Sequence, residues 1–527
     1  MGIKSGSSEE GVMNFGRMGW LAASTYNQED VTARLPFRTN PIFGPILRQI
    51  SMLLLLVAVF ATAAQGQNSA PGTALSGGHI LLVLPFDNIA VPQGDSSPSG
   101  AGSSPGSDSN LSSLDWLREA APEVLNSRFS SAGFLPLTRE DRLYALDHLG
   151  LPESFQPSRA TALRIAETLD ANYILIGSYS VTGTTLALKA RIVDVAKLRI
   201  SEDIAQSGPI AQLIPLLNSL AWKLTRKLDP SFNVAEETFR AAGSGVRLDA
   251  FEQYIRGMTE HDTPERLRHL KKATDLNPDF TAAWLATGKL QFASQQYEQA
   301  AVSFAKINKG DPSELEAAFY RGLSLIFSGN YPRAEEAFAN VARVLPLPEV
   351  VNNEAVASSR RGHDAVALFR QTVAADPTDA DYHFNLAVSL HSHGNKAEAL
   401  TELAQSLKLR PNDSEAKAAE SAWKSSTEKP EAANPIERIK RSYNGAAFRQ
   451  AALMLDQIEQ VHLASLPAPE RAARLSKSAR EKLNRGLLLE AEHGFQAALS
   501  ADPGNTDAKT GLTQVRERAG TIESTQK

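Results

Sequence analysis

The sequence predicts an α/β domain with a mixed sheet, followed by an all-α solenoid of helical hairpins, so that the chain as a whole is mostly α. Three observations carry this. Short apolar runs such as His79–Phe86 and Tyr173–Tyr179 alternate with helically spaced segments up to about residue 228, the pattern of strands covered by helices. From about residue 247 like residues recur 34 positions apart, and a fixed period of that size marks stacked units. The chain has 527 residues, 42% of them apolar, which leaves room for several domains of ~150 residues with real cores.

Composition excludes several kinds of chemistry. Lys plus Arg total 54 against 59 Asp plus Glu, a net charge of -5. There is no basic excess to neutralise phosphates, which argues against a nucleic-acid partner. Cysteine is absent, so disulfides, Cys-based zinc sites, thiol catalysis and iron–sulfur clusters are all excluded. The same absence removes a bacterial lipoprotein anchor.

Near the amino terminus, Arg48 precedes an apolar block over 52–61, and small residues follow at Ala61-Thr62-Ala63-Ala64. A basic residue, a short apolar stretch and an A-x-A site make a secretory signal. The block is ten residues long, whereas a bilayer takes ~20. Residues 48–64 are thus expected to be a cleaved signal peptide. The alternative is a single-pass anchor, since Ile50–Ala64 is uncharged throughout. Residues 1–47 lack periodicity and contain Met13 and Met18, which fits a start assigned too early or, alternatively, a cytoplasmic tail.

Within 79–228 the run His79–Phe86 reads as a strand buried on both faces. Residues 91–110 hold seven Ser, four Gly and three Pro, a composition that cannot offset its ordering entropy and predicts a disordered loop. Helical spacing returns at Leu114, Leu117, Ala121, Val124, Leu125 and Phe129. Phe134–Leu137 reads as a short strand, with Pro136 placing it at an edge or at a strand end. Helices are expected at about 139–148 and 158–170, then strands at 173–179, 186–195 and about 197–206, with Thr182-Gly183 as a turn, and a last helix through Leu213–Leu224. The order β-α-β-α-α-β-β-β-α implies a mixed sheet with helices packed on it.

Val83-Leu84-Pro85-Phe86-Asp87-Asn88, then Ala166–Tyr173 leading into Leu175-Ile176-Gly177-Ser178, then Ala190-Arg191-Ile192-Val193-Asp194 together resemble the TolB amino-terminal-like domain, which is also similar to the FlgO family. The resemblance covers about 79–228 and implies an envelope-facing interaction domain with no catalytic centre to carry over. The Ser/Gly/Pro insertion departs from that family's compact first loop.

In the second half, Gly288 and Gly322, Ala300 and Ala334, Phe304 and Phe338, and Pro312 and Pro346 are each 34 apart. Phe369 and Pro377 belong to a repeat shortened by three residues, and Pro411 follows Pro377 by 34, with Ala399 and Leu403 between them. Trp284, Gly288, Ala300, Phe304 and Pro312 resemble the tetratricopeptide signature, so a tetratricopeptide repeat solenoid is expected over 247–413. Gly and Ala admit close helix approach, Phe fills the space, and Asn277-Pro278, Asp311-Pro312 and Asp376-Pro377 end one hairpin and start the next. Residues 414–434 read as a linker or worn helix, and 436–519 as divergent helical repeats with a cap.

Motifs for catalysis are weak. His383, His391 and His393 are close in sequence, but 383 and 391 are two helical turns apart and no H-E-x-x-H occurs, so no metal is expected. Ser421–Lys424, Ser426–Lys429 and Lys509-Thr510-Gly511 echo a penicillin-binding set without its Ser-Asp-Asn. Asp87 and Asp170 suit strand-end turns. No cofactor is expected. The tetratricopeptide resemblance places the first helix of each hairpin on the concave side. Carried over by position, its exposed residues are Leu285, Lys289 and Phe292, then Phe319, Leu323, Ile326 and Phe327, then Phe384, Val388 and His391. These suit protein or peptide partners. The expected function is a non-catalytic, exported and periplasmic binding scaffold of the cell envelope, or, if residues 50–64 stay uncut, an inner-membrane-tethered assembly or transport accessory.

Overall fold

The computed structural model describes residues 79–89, 114–153, 158–243, 245–425, 435–443 and 445–525. The expectations for residues 1–64 and for the loop 91–110 fall outside them.

The first domain is built on a mixed sheet. β1 (Ile80–Val83) is flanked by β3 (Leu135–Pro136) and β4 (Tyr173–Thr182), both parallel to it. β2 (Asp87–Asn88) also lies parallel to β4. β4 then turns at Gly183 into antiparallel β5 (Thr185–Asp194), which pairs with β6 (Arg199–Ile200) and β7 (Ile204–Pro209). Helices α1 (Leu117–Ser131), α2 (Arg139–His148), α3 (Arg159–Thr168) and α4 (Leu213–Leu228) cover it. Successive strand residues alternate between two cores. Leu81 and Val83 pack with Leu125 and Phe129 of α1 and Leu217 of α4, whereas Leu82 and Leu84 pack with Ala145 and Leu146 of α2 and Ile165 of α3. This is why β1 is apolar without interruption. The Leu-Pro-Phe and Ile-Gly-Ser strings have a joint cause. Phe86 is fully buried, and a Cβ at Gly177 would stand 2.2 Å from its ring. Asp170 adopts φ 52° at the turn before β4, a left-handed position that Asp tolerates better than most residues.

After α5 (Glu236–Ala242) come five helical hairpins: α6 (Leu248–Thr259) with α7 (Thr263–Leu276), α8 (Thr281–Ala293) with α9 (Tyr297–Phe304), α10 (Glu314–Phe327) with α11 (Tyr331–Val344), α12 (Pro348–Arg360) with α13 (Val366–Ala375), and α14 (Ala380–Ser392) with α15 (Lys396–Leu409). A Cβ at Gly288 would lie 2.7 Å from the Phe304 ring, and one at Gly322 would lie 2.7 Å from Phe338. Glycine and phenylalanine therefore recur together because the ring fills the space the glycine leaves. Asn277, Leu345, Asp376 and Arg410 end their helices in extended backbone, with φ between -131° and -141°. Each precedes a proline, which disfavours the helical region one residue before it. The Trp284 indole donates to the Pro278 carbonyl at 2.8 Å, fastening the hairpin to the turn it leaves.

Of the two readings offered for residues 414–434, linker or worn helix, the helix holds for 414–424. These residues form α16 (Ser414–Lys424), which buries Ala416, Ala419 and Trp423 against the last hairpin. Residues 435–443 are extended rather than the start of a helical repeat. Helices α17 (Gly445–Ala464), α18 (Ala468–Asn484), α19 (Leu488–Ala501) and α20 (Thr506–Thr525) follow. Leu455 of α17 is 43% exposed, unlike the fully buried Phe338 of the third hairpin.

The carboxy-terminal helices return to the start of the array. The Ala235 amide donates to Glu492 at 3.1 Å, the Gln496 amide to the Asn233 carbonyl at 3.1 Å, and Arg240 pairs with Glu523 at 3.2 Å. On its other side, α5 receives Arg128 of α1, which donates to the Phe239 carbonyl at 3.0 Å and lies 4.5 Å from the centre of its ring.

Candidate functional site: a groove that holds an extended segment

The concave side of the array at α12 and α14 is filled by residues 435–443 of the same chain. The contact is made first to backbone. The Asn385 carboxamide accepts from the Arg438 amide at 2.6 Å and donates to the Arg438 carbonyl at 2.7 Å. The Asn353 carboxamide accepts from the Lys440 amide at 2.9 Å and donates to the Lys440 carbonyl at 2.8 Å. Each asparagine thus imitates a neighbouring strand. Asn352 connects the two, donating to the Arg438 carbonyl at 3.0 Å and accepting from Asn385 at 2.7 Å. All three asparagines are fully buried, and while Asn352 also bonds to both of the others, the Asn353 amide nitrogen and the Asn385 oxygen are satisfied by the segment's backbone.

The side chains add charge. Arg438 forks onto Asp413 at 2.6 and 2.8 Å, reaches Asp381 at 3.1 Å and Glu415 at 2.9 Å, and lies 3.7 Å from the centre of the Phe384 ring. Lys440 pairs with Asp379 at 2.6 Å and Asp381 at 2.9 Å beside the Tyr382 ring. Glu437 takes Ser359 and Arg360. Ile439 packs between the cores of the third and fifth hairpins. Tyr443 closes the segment against Phe319, Tyr320 and Phe448. Burial opposes the charge on Asp381, but Arg410 and Lys440 outweigh it and hold the carboxyl well below the usual range. The hydrogen bond from Arg438 does the same for Asp413.

This arrangement corrects the expectation that the first-helix residues face solvent. Phe319 is fully buried beneath Tyr443 and Phe448, and Phe384 beneath Arg438. Leu323, Ile326 and Val388 are buried within the hairpin cores. His391 stacks on Trp423, with ring centres 4.2 Å apart. The earlier hairpins are more open. Leu285 is half-buried against Phe304, and Lys289 pairs with Glu316 at 2.6 Å above the Tyr320 ring. Phe292 and Phe327 are half-buried, both touching Tyr297, with Arg441 over Phe327. The structure therefore joins Phe319, Phe327 and Phe384 through one segment, but it does not bring all ten expected residues to one open surface. His383 is engaged at both nitrogens, by Glu402 at 2.7 Å and the Pro377 carbonyl at 3.1 Å, and it stands apart from His393, which lies 3.8 Å from Asp364. Thr510 bonds within its helix to the Thr506 carbonyl.

The asparagines were missed in the sequence. Asn353 and Asn385 are each the sixth residue of their helix, where α10 has Phe319 and α8 has Ala286. A polar residue breaking a repeated apolar position was the available signal.

The helical half is a solenoid of helical hairpins that resembles tetratricopeptide repeat proteins. Residues 354–414 match the family model described as tetratricopeptide repeat. Among solved structures, YrrB, described as a tetratricopeptide protein with an unusual peptide-binding site, is similar at 16% identity over 38% of this chain and 99% of its own, with a TM-score of 0.30. MamA from Desulfovibrio magneticus RS-1 is similar at 19% identity over 32% of this chain and 99% of its own, with a TM-score of 0.30. The LpoB carboxy-terminal domain from Salmonella enterica is similar at 18% identity over 32% of this chain and 99% of its own, with a TM-score of 0.17. No curated protein matches the sequence.

Proposed function

We propose that this chain is an exported, non-catalytic protein-binding scaffold of the bacterial cell envelope, whose tetratricopeptide groove takes peptide or protein partners. The observation that carries the binding role is the pair of carboxamides on Asn353 and Asn385, which clasp an extended backbone two residues apart. Such contacts suit any strand-like segment, and pockets for alternate side chains then select among them. The export role rests on Arg48, the apolar block 52–61 and the A-x-A tail. The TolB-like resemblance of residues 79–228 supports an envelope-facing first domain. A second reading, a membrane-tethered accessory, rests on the uncharged stretch Ile50–Ala64. Among the described residues no helix is long and apolar enough to cross a membrane.

Two measurements test this. Mass spectrometry of the native protein should find a mature start between about Ala64 and Ser69. An intact chain carrying Met52 in the membrane fraction would favour the tether. A photo-crosslinking amino acid at Leu285, on the open part of the concave side, should yield a discrete intermolecular adduct in envelope extract. Only intramolecular products there would remove the scaffold role.

A further inference from the structure

We infer that residues 435–443 are a built-in ligand mimic. The groove formed by α12, α14 and the start of α16 is shaped for an extended peptide carrying Arg-x-Lys, and the chain's own segment holds it closed until such a peptide displaces it. The inference rests on the scaffold reading and names the partner's chemistry.

Three features distinguish this seat from an ordinary packed connection. First, the backbone is held through side-chain carboxamides at strand spacing. Arg438 and Lys440 are two residues apart, and the asparagines that hold them come from successive repeats. A helical connection needs none of this, because it satisfies its own backbone groups.

Second, the charge is matched to two cations. Asp379, Asp381, Asp413 and Glu415 converge on Arg438 and Lys440. With the segment out, Arg410, at 2.7 Å from Asp381, is the cation from the groove side that faces them, a local charge of about -3 by simple count. A cleft of one sign draws in a partner of the other.

Third, the Arg438 place is specific. The fork onto Asp413 together with the Phe384 ring suits a planar guanidinium and not an ammonium. The Lys440 place offers two carboxylates without a fork.

A tethered segment acts at an effective concentration near millimolar, so a free peptide meets strong competition in the native chain. The test uses the full chain carrying Arg438→Ala and Lys440→Ala, which removes the segment's two cationic anchors, the contacts that the matched charge recognises, and leaves every groove residue in place. The probe is a fluorescent nonapeptide with the native sequence Pro435–Tyr443, read by anisotropy. The expected result is binding to the double variant on the order of 10²-fold tighter than to the native chain. A control peptide carrying the same two alanines should lose that binding. Circular dichroism is recorded on the same samples. A double variant that keeps its helical signal but binds the nonapeptide no better than the native chain overturns the inference. So does a double variant that loses its helical signal, because the segment is then part of the core and not a displaceable ligand. Either failure leaves the scaffold reading standing, since that reading falls only with the crosslinking result at Leu285.

Discussion

Asn353 and Asn385 hold equivalent places one repeat apart, and each closes a two-bond ring with the backbone of one residue in the extended segment. The residues they take, Arg438 and Lys440, are alternate positions of the segment. A solenoid with a regular step can therefore present a regular ladder to an extended chain, although neither asparagine is part of a sheet.

Replacing Asn385 by Ala leaves the Arg438 amide without its acceptor and should cost about 1–3 kcal/mol. Asn353→Ala should cost a similar amount at Lys440. The two changes should not add, because Asn352 bonds to both asparagines. Urea unfolding of the single and double variants measures this, and full additivity would show that the three amides act separately.

The pairing of glycine and phenylalanine makes a second forecast. Gly288→Leu should destabilise by about 1–3 kcal/mol or more through overpacking against the Phe304 ring. Gly288→Ala should cost less, and Phe304→Leu in that background should return part of the loss. Thermal melting of these variants, of Phe304→Leu alone and of the native chain decides it. No coupling between the two positions would break the assigned register.

A third forecast concerns the joint between domain and array. Glu123 of α1 is half-buried and accepts from the Tyr254 hydroxyl of α6 at 2.6 Å. Burial raises its carboxyl above the usual range, and the Tyr254 hydrogen bond works in the opposite direction. Tyr254→Phe should cost about 1–3 kcal/mol at neutral pH by leaving the carboxyl unmet. Glu123→Gln should cost less, because an amide oxygen still accepts from the hydroxyl. Equal losses in the two variants would rule out this account.

Glu354 makes a forecast in pH. Burial and the nearby Glu335 push its carboxyl up to about 7, against the opposing pull of Arg343. The folded chain thus keeps a proton that the unfolded chain releases near 4.5. Stability from this group is present below about pH 4.5 and is lost as pH rises towards about 7. Glu354→Gln should remove that fall, gaining on the order of 1 kcal/mol at pH 8 after allowance for solvent screening. Asp381 and Asp413 have the opposite sign: their contribution is present above the usual carboxylate range and is lost only in stronger acid. Melting curves at pH 5 and pH 8 separate the two effects.

Much of the fold was legible because its determinants are local or periodic. The Gly288–Phe304 spacing repeats at Gly322–Phe338, and alternate burial of Leu81 to Leu84 explains the apolar run of β1. The groove was less legible for a physical reason. Ile436, Ile439 and Tyr443 fall at the 3-then-4 spacing of a helix face, so the segment reads as a helix start. What keeps it extended is remote: its backbone partners lie as far as 87 positions away at Asn353. Long-range side-chain capture of a backbone leaves no mark in the local pattern. Phe319 and Phe384 were placed on the correct helices, but their burial depends on that same distant segment.

Most solenoids are open-ended, so evolution can lengthen or shorten them one unit at a time. Here the contact between Ala235 and Glu492 joins positions 257 apart across the whole array. Inserting or deleting a hairpin would shift α19 off α5 and strand the buried Glu492 carboxylate away from its amide partner. The number of repeats in this chain is therefore locked by closure, and divergence is confined to side chains within a fixed count.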